Sequence, residues 1–169
     1  MEFNTMMDVP RSVSGPLLTI TVIQSLQVPD LKLENQVCFS LYSASNALIR
    51  AYRPLLDALN LTYLQYMVMI VLWEHKTLNV KQVGHFLRLD SGTLTPLLKR
   101  LEEKALVVRR RSTTDERVRE ITLSSKGEEL YQQAKAIPEQ LACRISFSYE
   151  DAKQLKALAD DLLKVIESK

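Results

Sequence analysis

The segment NVKQVGHFLRLDSGTLTPLLKRLEEKALVVRRRSTTDERVREITL, from Asn79 to Leu123, decides the fold. Its first half predicts two short helices separated by the three residues from Arg88 to Asp90. Along the second helix, leucines recur with helical spacing at positions 94, 97, 98 and 101, which marks one buried face. Two helices joined by so short a turn are typical of a helix-turn-helix.

The second half of the segment predicts a β-hairpin. Ala105 to Arg111 contains two valines and ends in three arginines, and Ser112 to Arg117 is polar and turn-like. Val118 to Leu123 then alternates apolar and polar residues. We therefore expect a two-stranded wing with a basic loop directly after the helix-turn-helix.

Further helices are predicted upstream of this unit. Apolar residues recur every three or four positions from Leu33 to Leu59. This spacing predicts one long amphipathic helix that contains Pro54 and stops near Asn60. The Thr-x-x-Gln spacing from Thr62 to Gln65 is that of a capping box, so a new helix should start there with Tyr63 in its first turn.

Downstream, Ser124 should start a helix that Pro138 kinks or ends, and Ser148 should start the last helix. The last helix has an apolar stripe that nothing nearby in the sequence covers: Leu155, Leu158, Leu162 and Ile166. Such a stripe needs a partner surface, so we expect a homodimer. The predicted fold is mainly α, a winged helix-turn-helix with long N- and C-terminal dimerisation helices and a two-stranded β wing.

The composition of the 169 residues, 46% hydrophobic and 25% charged, is that of an ordinary globular protein. Four Gly, six Pro and two Cys exclude the collagen-like, disordered and disulfide-scaffold classes. The longest apolar run, Met67 to Trp73, is too short for a membrane span. The net charge is only +2, yet Leu97 to Arg119 holds eight basic and four acidic residues. This local excess predicts a basic surface for a polyanion.

The first thirty residues have a different character. Met1 to Thr5 could be a cloning addition, and Leu17 to Val28 lacks the basic start and the small-residue cleavage site of a signal peptide. We expect an N-terminal arm at 1–30 and a single domain at 31–169, with its DNA-binding part at 79–123. We also expect a cytoplasmic location.

The polar face of the second helix and the wing supply the candidate DNA contacts. They are Ser91, Thr93, Thr95, Pro96, Lys99, Arg100, Asp115 and Arg117. Short hydroxyls near a helix N-terminus suit base edges and phosphate oxygens, and an arginine at the wing tip suits a narrow minor groove. Taken alone, these would equally be solvated surface residues. The adjacent helix-turn-helix favours double-stranded operator DNA as the partner, with two recognition helices about 34–36 Å apart in a dimer.

Two segments resemble a known family. DSGTLTPLLKRLEEKALVVRRRSTTDERVREITLSSKG, from Asp90 to Gly127, resembles the MarR family of dimeric repressors, whose general Asp-x-Arg pattern in the wing matches Asp115 and Arg117. LENQVCFSLYSASNALIRAYRPLLDALNLTYLQYMVMIVLWE, from Leu33 to Glu74, resembles the organic-hydroperoxide-sensing branch, the OhrR type. The resemblance covers essentially all of the chain from residue 31 onward.

Cys38 carries the specific part of this resemblance. It lies near the start of a predicted helix, where the helix dipole favours a thiolate, and Tyr42 is one turn away. Tyr52 and Tyr63 match the tyrosines that contact the sulfur in this branch. A phenol can donate a hydrogen bond to the sulfur, while its ring forms an apolar slot for a peroxide. Without the resemblance, Cys38 would be a small buried hydrophobe and the tyrosines would be core aromatics.

The resemblance also implies a role for Cys143. Some members of the branch have only the sensing cysteine, and others have a second, late cysteine that traps the oxidised sulfur as a disulfide. A cysteine shortly after Pro138 resembles the second form. The family's partner cysteine belongs to the other subunit, so the implied bridge between Cys38 and Cys143 is intersubunit. The alternative is a buried, inert Cys143.

The predicted function is a redox-controlled repressor near a hydroperoxide-detoxifying gene. An organic hydroperoxide, as inducer, would oxidise Cys38 to the sulfenic acid, Cys143 would condense with it, and the operator would be released. One alternative is a MarR-type repressor that senses a small ligand. Another is a thiol peroxidase, which is disfavoured because it would have no use for the wing. His75 and His85 lack metal-ligand spacing, and no catalytic constellation stands out. We therefore expect no enzyme, cofactor, metal or membrane partner.

Overall fold

The structure is a computed structural model that describes residues 31–112 and 117–168. The arm predicted at 1–30 and the wing residue Asp115 lie outside the described residues. The chain forms two compact units that divide between Ala44 and Ser45, and each is described by itself.

The first unit contains a 3-10 turn at Leu33–Asn35 and the start of helix α1 (Val37–Asp57). The predicted helix begins later than Leu33 because Gln36 is extended, with φ −94° and ψ 111°. The carbonyl of Gln36 accepts hydrogen bonds from the N–H groups of Phe39 and Ser40, so Gln36 acts as the cap of α1. None of the described residues 31–44 is buried.

The second unit begins with the rest of α1, which continues past Pro54 to Asp57. The turn after it confirms the predicted stop, because Asn60 has φ 53° and the Leu61 N–H bonds to the Leu56 carbonyl at 3.0 Å. Helix α2 (Tyr63–His75) then begins at the predicted capping box. The Thr62 side chain accepts from the Gln65 N–H, and the Gln65 side chain accepts from the Thr62 N–H.

The predicted helix-turn-helix is confirmed as α3 (Val80–Leu87) and α4 (Ser91–Glu103). Asn79 and Gln82 form a second capping box at the start of α3, and Asp90 caps α4. The predicted leucine face of α4 is buried over the α2 residues Val68 and Met69, which are themselves fully buried. We call α4 the recognition helix from here on.

The wing is a hairpin of β2 (Val107–Arg111) and β3 (Arg119–Leu123), as predicted. A third strand, β1 (Thr77–Asn79), pairs antiparallel with β3, so the sheet has the order β1-β3-β2. Strand β1 was not predicted from the sequence, because three residues are too few to set up an alternating pattern. Its position joins the start of the helix-turn-helix to the wing.

Three helices complete the chain: α5 (Ser125–Ala134), α6 (Ile137–Ile145) and α7 (Tyr149–Glu167). Ser124 and Ser148 cap α5 and α7, as predicted. Pro138 lies in the first turn of α6. Backbone N–H groups in a first turn have no acceptor within the helix, so the missing N–H of proline costs no hydrogen bond there. The apolar stripe of α7 is exposed, with Leu158 at 70% and Ile166 at 61%. None of the helices in the described ranges is long and apolar enough to cross a membrane.

We expect Gly127→Ala to lower the free energy of unfolding by about 3 kcal/mol. A Cβ at this position would lie 2.1 Å from the carbonyl oxygen of Leu106, and that oxygen is backbone and cannot turn away. The Gly127 carbonyl also accepts a hydrogen bond from the Trp73 indole at 2.8 Å, so a shift of α5 would disturb the core.

Chemical denaturation followed by circular dichroism measures this loss. Gly92→Ala is the matched control, because its added Cβ would meet only a side-chain oxygen, that of Asp90 at 3.0 Å, and no backbone atom. Its unfolding free energy should change by less than about 1 kcal/mol. Equal effects for the two variants would contradict the steric explanation.

Candidate DNA interface and redox site

The cap of the recognition helix fixes its first turn. One Asp90 oxygen accepts the Thr93 N–H at 2.8 Å, and the other accepts the Thr93 hydroxyl at 2.8 Å. These two hydrogen bonds hold the pKa of Asp90 below its ordinary value, so the cap is a carboxylate at neutral pH. The Thr95 hydroxyl donates to the Ser91 carbonyl at 2.7 Å. The hydroxyl oxygens of both threonines therefore remain available as acceptors.

The candidate contacts on the recognition helix all lie on its exposed face. These residues are Ser91, Thr93, Thr95, Pro96, Lys99 and Arg100. Lys99 has Glu103 one turn away, with 3.9 Å between ammonium nitrogen and carboxylate oxygen. An exposed pair of this kind contributes little to stability, so the ammonium can be drawn to another anion at small cost.

The wing brings arginines next to the recognition helix. The backbone N–H of Arg109 bonds to the Glu102 carboxylate at 3.2 Å, and its guanidinium lies 3.8 Å from the same group. The Nε of Arg109 is buried and lacks a hydrogen-bond partner among the described residues. Arg117 is exposed at the end of the hairpin, which the hydrogen bond from the Ser112 N–H to the Val118 carbonyl closes at 2.9 Å.

One groove collects these groups. It has a volume of about 1120 Å³ and lies between α3, the recognition helix and the wing. The predicted contacts Ser91, Thr95 and Arg117 line it. So do basic residues that were not predicted as contacts: Lys81, Arg88, Arg109 and Arg119. The charge count in the sequence held a signal for Arg109 and Arg119, whereas only the fold brings Lys81 and Arg88 into the groove.

The end of the recognition helix is tied to the start of α2. Lys104 follows the last turn, and its ammonium donates to the Asn60 carbonyl and to the Gln65 side-chain oxygen. Gln65 is buried and also belongs to the capping box of α2. Burial, and then the nearby charge of Arg100, lower the pKa of Lys104. This network links the helix that carries Tyr63 directly to the recognition helix.

Cys38 is the second residue of α1, and it is an exposed free thiol. The sequence predicted Cys38 near the start of this helix, and because the helix begins at Val37 the residue lies in its first turn. Its exposure in the single chain does not fit the alternative of a small buried hydrophobe. Tyr42, one turn further along, is 67% exposed.

Tyr52 and Tyr63 form an aromatic pair in the second unit. Their ring centroids lie 5.1 Å apart with a tilt of 50°. Burial raises the pKa of both phenols, and the neighbouring Tyr63 raises that of Tyr52 further. Both hydroxyls therefore stay protonated at neutral pH and are able to donate a hydrogen bond.

Cys143 lies on α6 and is a free thiol that is exposed in the single chain, not buried as the alternative to a resolving role required. It lines a shallow depression of about 400 Å³ together with Leu55, Glu139, Gln140 and Arg144. The two histidines have ordinary surroundings, since His75 stacks on Phe86 at 4.5 Å and His85 meets the same ring edge-on. Across 31–112 and 117–168, no group of three or more potential ligands could hold a metal ion.

Known proteins that are similar to this chain are transcriptional regulators. A family model described as transcriptional regulator SarA/Rot matches residues 50–134. The organic hydroperoxide resistance transcriptional regulator of Bacillus subtilis (strain 168) is 48% identical over 139 residues, which are 82% of this chain and 95% of that protein.

Solved structures of AbfR from Staphylococcus epidermidis have the same fold. Reduced AbfR bound to DNA is 35% identical, with a TM-score of 0.65, and the match covers 80% of this chain and 96% of that chain. A disulfide-formed AbfR is 33% identical, with a TM-score of 0.58, and covers 88% and 99% respectively.

These relatives regulate transcription, and their family binds DNA without being enzymatic. The thiol peroxidase alternative therefore falls away, and the prediction of a non-enzymatic protein is confirmed. The predicted fold class is confirmed as well. The chain belongs to the MarR-type winged helix-turn-helix transcriptional regulators described by the SarA/Rot model, and within them to the organic-hydroperoxide resistance type.

Proposed function

We propose that this protein is a cytoplasmic repressor that binds operator DNA as a reduced homodimer and releases it when an organic hydroperoxide oxidises Cys38. The observation that carries the proposal is that Cys38 and Cys143 are both free, exposed thiols. A transcriptional regulator with two accessible thiols has the groups that a reversible redox response needs. Derepression would then act on a hydroperoxide-detoxifying gene.

The DNA-binding part of the proposal rests on residues 79–123. The exposed hydroxyls of Thr93 and Thr95 lie near the N-terminus of the recognition helix, where they suit base edges in a major groove. The arginines of the wing suit phosphates and a minor groove. Asp115, which matches the family's wing pattern, completes the proposed set. Reduced AbfR, a relative with the same fold, is bound to DNA.

The first redox step takes place at Cys38. The thiolate sulfur attacks the terminal oxygen of the hydroperoxide, the O–O bond breaks, and the alkoxide takes up a proton and leaves as an alcohol. The sulfur loses two electrons and becomes a sulfenic acid, and the peroxide is reduced by the same two electrons. The exposure of Cys38 gives a bulky organic peroxide access to the sulfur.

Tyr52 and Tyr63 act on the sulfur of Cys38 in this proposal. Each phenol is kept neutral by burial and can donate a hydrogen bond to a thiolate or a sulfenate. The tilted ring pair offers an apolar surface to an organic peroxide. Because Tyr63 begins α2, a change at its hydroxyl reaches the recognition helix through Gln65 and Lys104.

In the second step, Cys143 of the partner subunit resolves the sulfenic acid. Its thiolate attacks the sulfenic sulfur, an S–S bond forms, and the hydroxyl leaves as water after it takes up a proton. The exposure of Cys143 supports this role, because a resolving thiol has to be reached by another chain. AbfR has been solved in a disulfide-formed state, which supports the same chemistry in a relative.

The apolar stripe of α7 supports the proposed homodimer. Leu155, Leu158, Leu162 and Ile166 are between 41% and 70% exposed. Ile145, Phe147 and Tyr149, just before and at the start of α7, are exposed as well. A row of exposed apolar side chains along one helix favours a partner, and a second copy gives the two-fold symmetry that a palindromic operator requires.

A repressor that senses a small ligand is the second candidate. A cavity of about 630 Å³ is lined by the aromatic residues Tyr66, Trp73 and Tyr131, with Lys76 and Lys135 beside them. Glu74 and Glu128 line the same cavity, so its aromatic walls suit a small aromatic ligand without selecting its charge. The behaviour of the Cys38 variant toward hydroperoxide separates the two candidates.

We expect Arg117→Ala to weaken operator binding and to reduce the slope of log K against log salt concentration by about 1, because one phosphate contact is lost. Thr95→Val should instead change the preference among operator variants, since it removes an exposed hydroxyl proposed to meet base edges and leaves the Asp90 cap intact. Fluorescence anisotropy on a duplex selected from random sequences by the reduced protein measures both effects.

Lys153→Ala is the control, because it removes one positive charge from α7, outside the groove. Its affinity and salt slope should equal those of the wild type. An Arg117→Ala variant with the wild-type slope would exclude the wing from the interface.

We expect Leu158→Lys to convert the dimer to a monomer and to abolish tight operator binding. Leu158 is the most exposed residue of the α7 stripe, and an ammonium group cannot be desolvated in an apolar interface without a partner. Multi-angle light scattering gives the mass, and anisotropy gives the affinity. Lys153→Glu, which changes a charge on the opposite face of α7, should remain dimeric. A folded Leu158→Lys monomer that binds the full operator tightly would refute the dimer model.

We expect Cys38→Ser to bind operator DNA and to ignore cumene hydroperoxide. Cys143→Ser should still be oxidised at Cys38, because attack on the peroxide needs no second thiol, and a dimedone probe should label the persistent sulfenic acid. A non-reducing gel should show a crosslinked dimer only for the oxidised wild type. Tyr52→Phe and Tyr63→Phe should slow oxidation and leave reduced DNA binding largely intact.

A Cys38→Ser variant that responds to hydroperoxide like the wild type would contradict the redox proposal and favour the small-ligand repressor. Retention of the crosslinked band in Cys143→Ser would exclude Cys143 as the resolving thiol. The first result would contradict the sensing step at Cys38 and the second the resolving step at Cys143, so the two roles are tested separately.

A further inference from the structure

The turn between α3 and the recognition helix contains an ion pair that the proposed function does not use. The Nε of Arg88 donates to one oxygen of Glu167 at 2.6 Å, and its second guanidinium nitrogen lies 3.4 Å from the other oxygen. The two residues are 79 positions apart in the sequence. Both side chains are about half exposed, at 58% for Arg88 and 51% for Glu167.

Glu167 places a negative charge where the surrounding fold gives reasons against one and where a basic groove would otherwise be uninterrupted. It is the last residue of α7, and the C-terminal end of a helix disfavours an anion. It also lines the basic groove, where it is the only acidic residue among the described residues. Five basic residues share that groove: Lys81, Arg88, Arg109, Arg117 and Arg119.

The paired oxygens of Glu167 imitate a phosphodiester. A guanidinium binds the two oxygens of a carboxylate in the same forked way as the two free oxygens of a DNA phosphate. The hydrogen bond from Arg88 holds the pKa of Glu167 below its ordinary value, so the group is an anion at neutral pH. Because the pair is exposed, exchanging the carboxylate for another anion costs little.

We propose that Arg88 binds a backbone phosphate in the DNA interface, and that in the free protein the Glu167 carboxylate occupies the position of that phosphate. This inference rests on the DNA binding proposed above. Operator binding then requires a backbone phosphate to displace the Glu167 carboxylate. The end of α7 thereby lowers the affinity for every DNA sequence equally, because a phosphate contact carries no base information.

The exchange has a specific salt signature. In the wild type, Arg88 and Glu167 together bring no net charge to the DNA, so their net contribution to cation release is close to zero. In Glu167→Gln, the same contact releases about 0.9 cation without compensation. The variant should therefore bind about eightfold more tightly at about 0.1 M salt, and the gain should vanish toward about 1 M.

The experiment compares reduced wild type, Glu167→Gln, Arg88→Gln and the double variant by anisotropy over a salt series, on the selected operator and on an unrelated duplex. Glu150→Gln removes the same charge from the other end of α7 and serves as the matched control. We expect the gain for Glu167→Gln on both duplexes. The double variant should bind no more tightly than Arg88→Gln. Glu150→Gln should bind no more tightly than the wild type.

An equal gain for Glu150→Gln, or a gain for Glu167→Gln that persists without Arg88, would overturn the proposal, because the effect would then be general charge. A gain on the operator alone would also overturn it. The reduced protein is used throughout, so a failed hydroperoxide response does not affect the result.

A second measurement does not need DNA. The proton–nitrogen resonance of the Arg88 Nε–H, followed by NMR with added inorganic phosphate at constant ionic strength, should shift in Glu167→Gln at concentrations that leave the wild type unchanged. Equal behaviour of the two proteins would exclude competition between Glu167 and a phosphate. If the wild type binds no DNA but this resonance shifts as expected, the proposed function fails and the anion site at Arg88 is supported.

Discussion

Burial of one face of the recognition helix is the constraint on which the rest of the structure depends. Leu94, Leu98 and Leu101 are almost completely buried over α2, and their helical spacing leaves the hydroxyls of Thr93 and Thr95 on the exposed face. Any rotation of α4 that would turn these hydroxyls inward would expose the leucines, at a cost of about 1.5–3 kcal/mol for each side chain. The apolar core therefore fixes which groups DNA can meet.

The polar contacts at the two ends of the recognition helix have different roles. At its start, the Asp90 carboxylate holds the first turn through Thr93. At its end, the Lys104 ammonium is bound to Asn60 and Gln65, and these belong to the segment that begins α2. A rotation or shift at the start of α2 is thus transmitted to the recognition helix by hydrogen bonds as well as by packing. Because Tyr63 lies in that same turn, the proposed redox site and the recognition helix would share this connection.

The groove beside the recognition helix combines groups from distant parts of the sequence. Lys81 and Arg88 come from the first part of the helix-turn-helix, Arg109 and Arg119 from the wing, and Glu167 from the end of the chain. A groove with this charge attracts any polyanion, so its electrostatics give affinity and not specificity. Specificity has to come from the few hydroxyls that face outward between these charges. A carboxylate within the groove limits the nonspecific part of the binding.

The sequence by itself determined the local structure. Short-range hydrogen bonds set the helix starts at Thr62, Ser124 and Ser148, and these three were predictable because a cap depends on residues three positions apart. The leucine spacing determined the buried face of α4, and the resemblance supplied the roles of Cys38, Tyr52, Tyr63 and Cys143. Only the tertiary structure decided the third strand β1, the tilted contact between the rings of Tyr52 and Tyr63, the hydrogen bond from Trp73 to Gly127 and the pairing of Arg88 with Glu167. Each of these joins residues that are more than ten positions apart, and no periodic pattern encodes which distant residues meet. That choice is made when the whole core packs and brings the helix ends and sheet edges to fixed places.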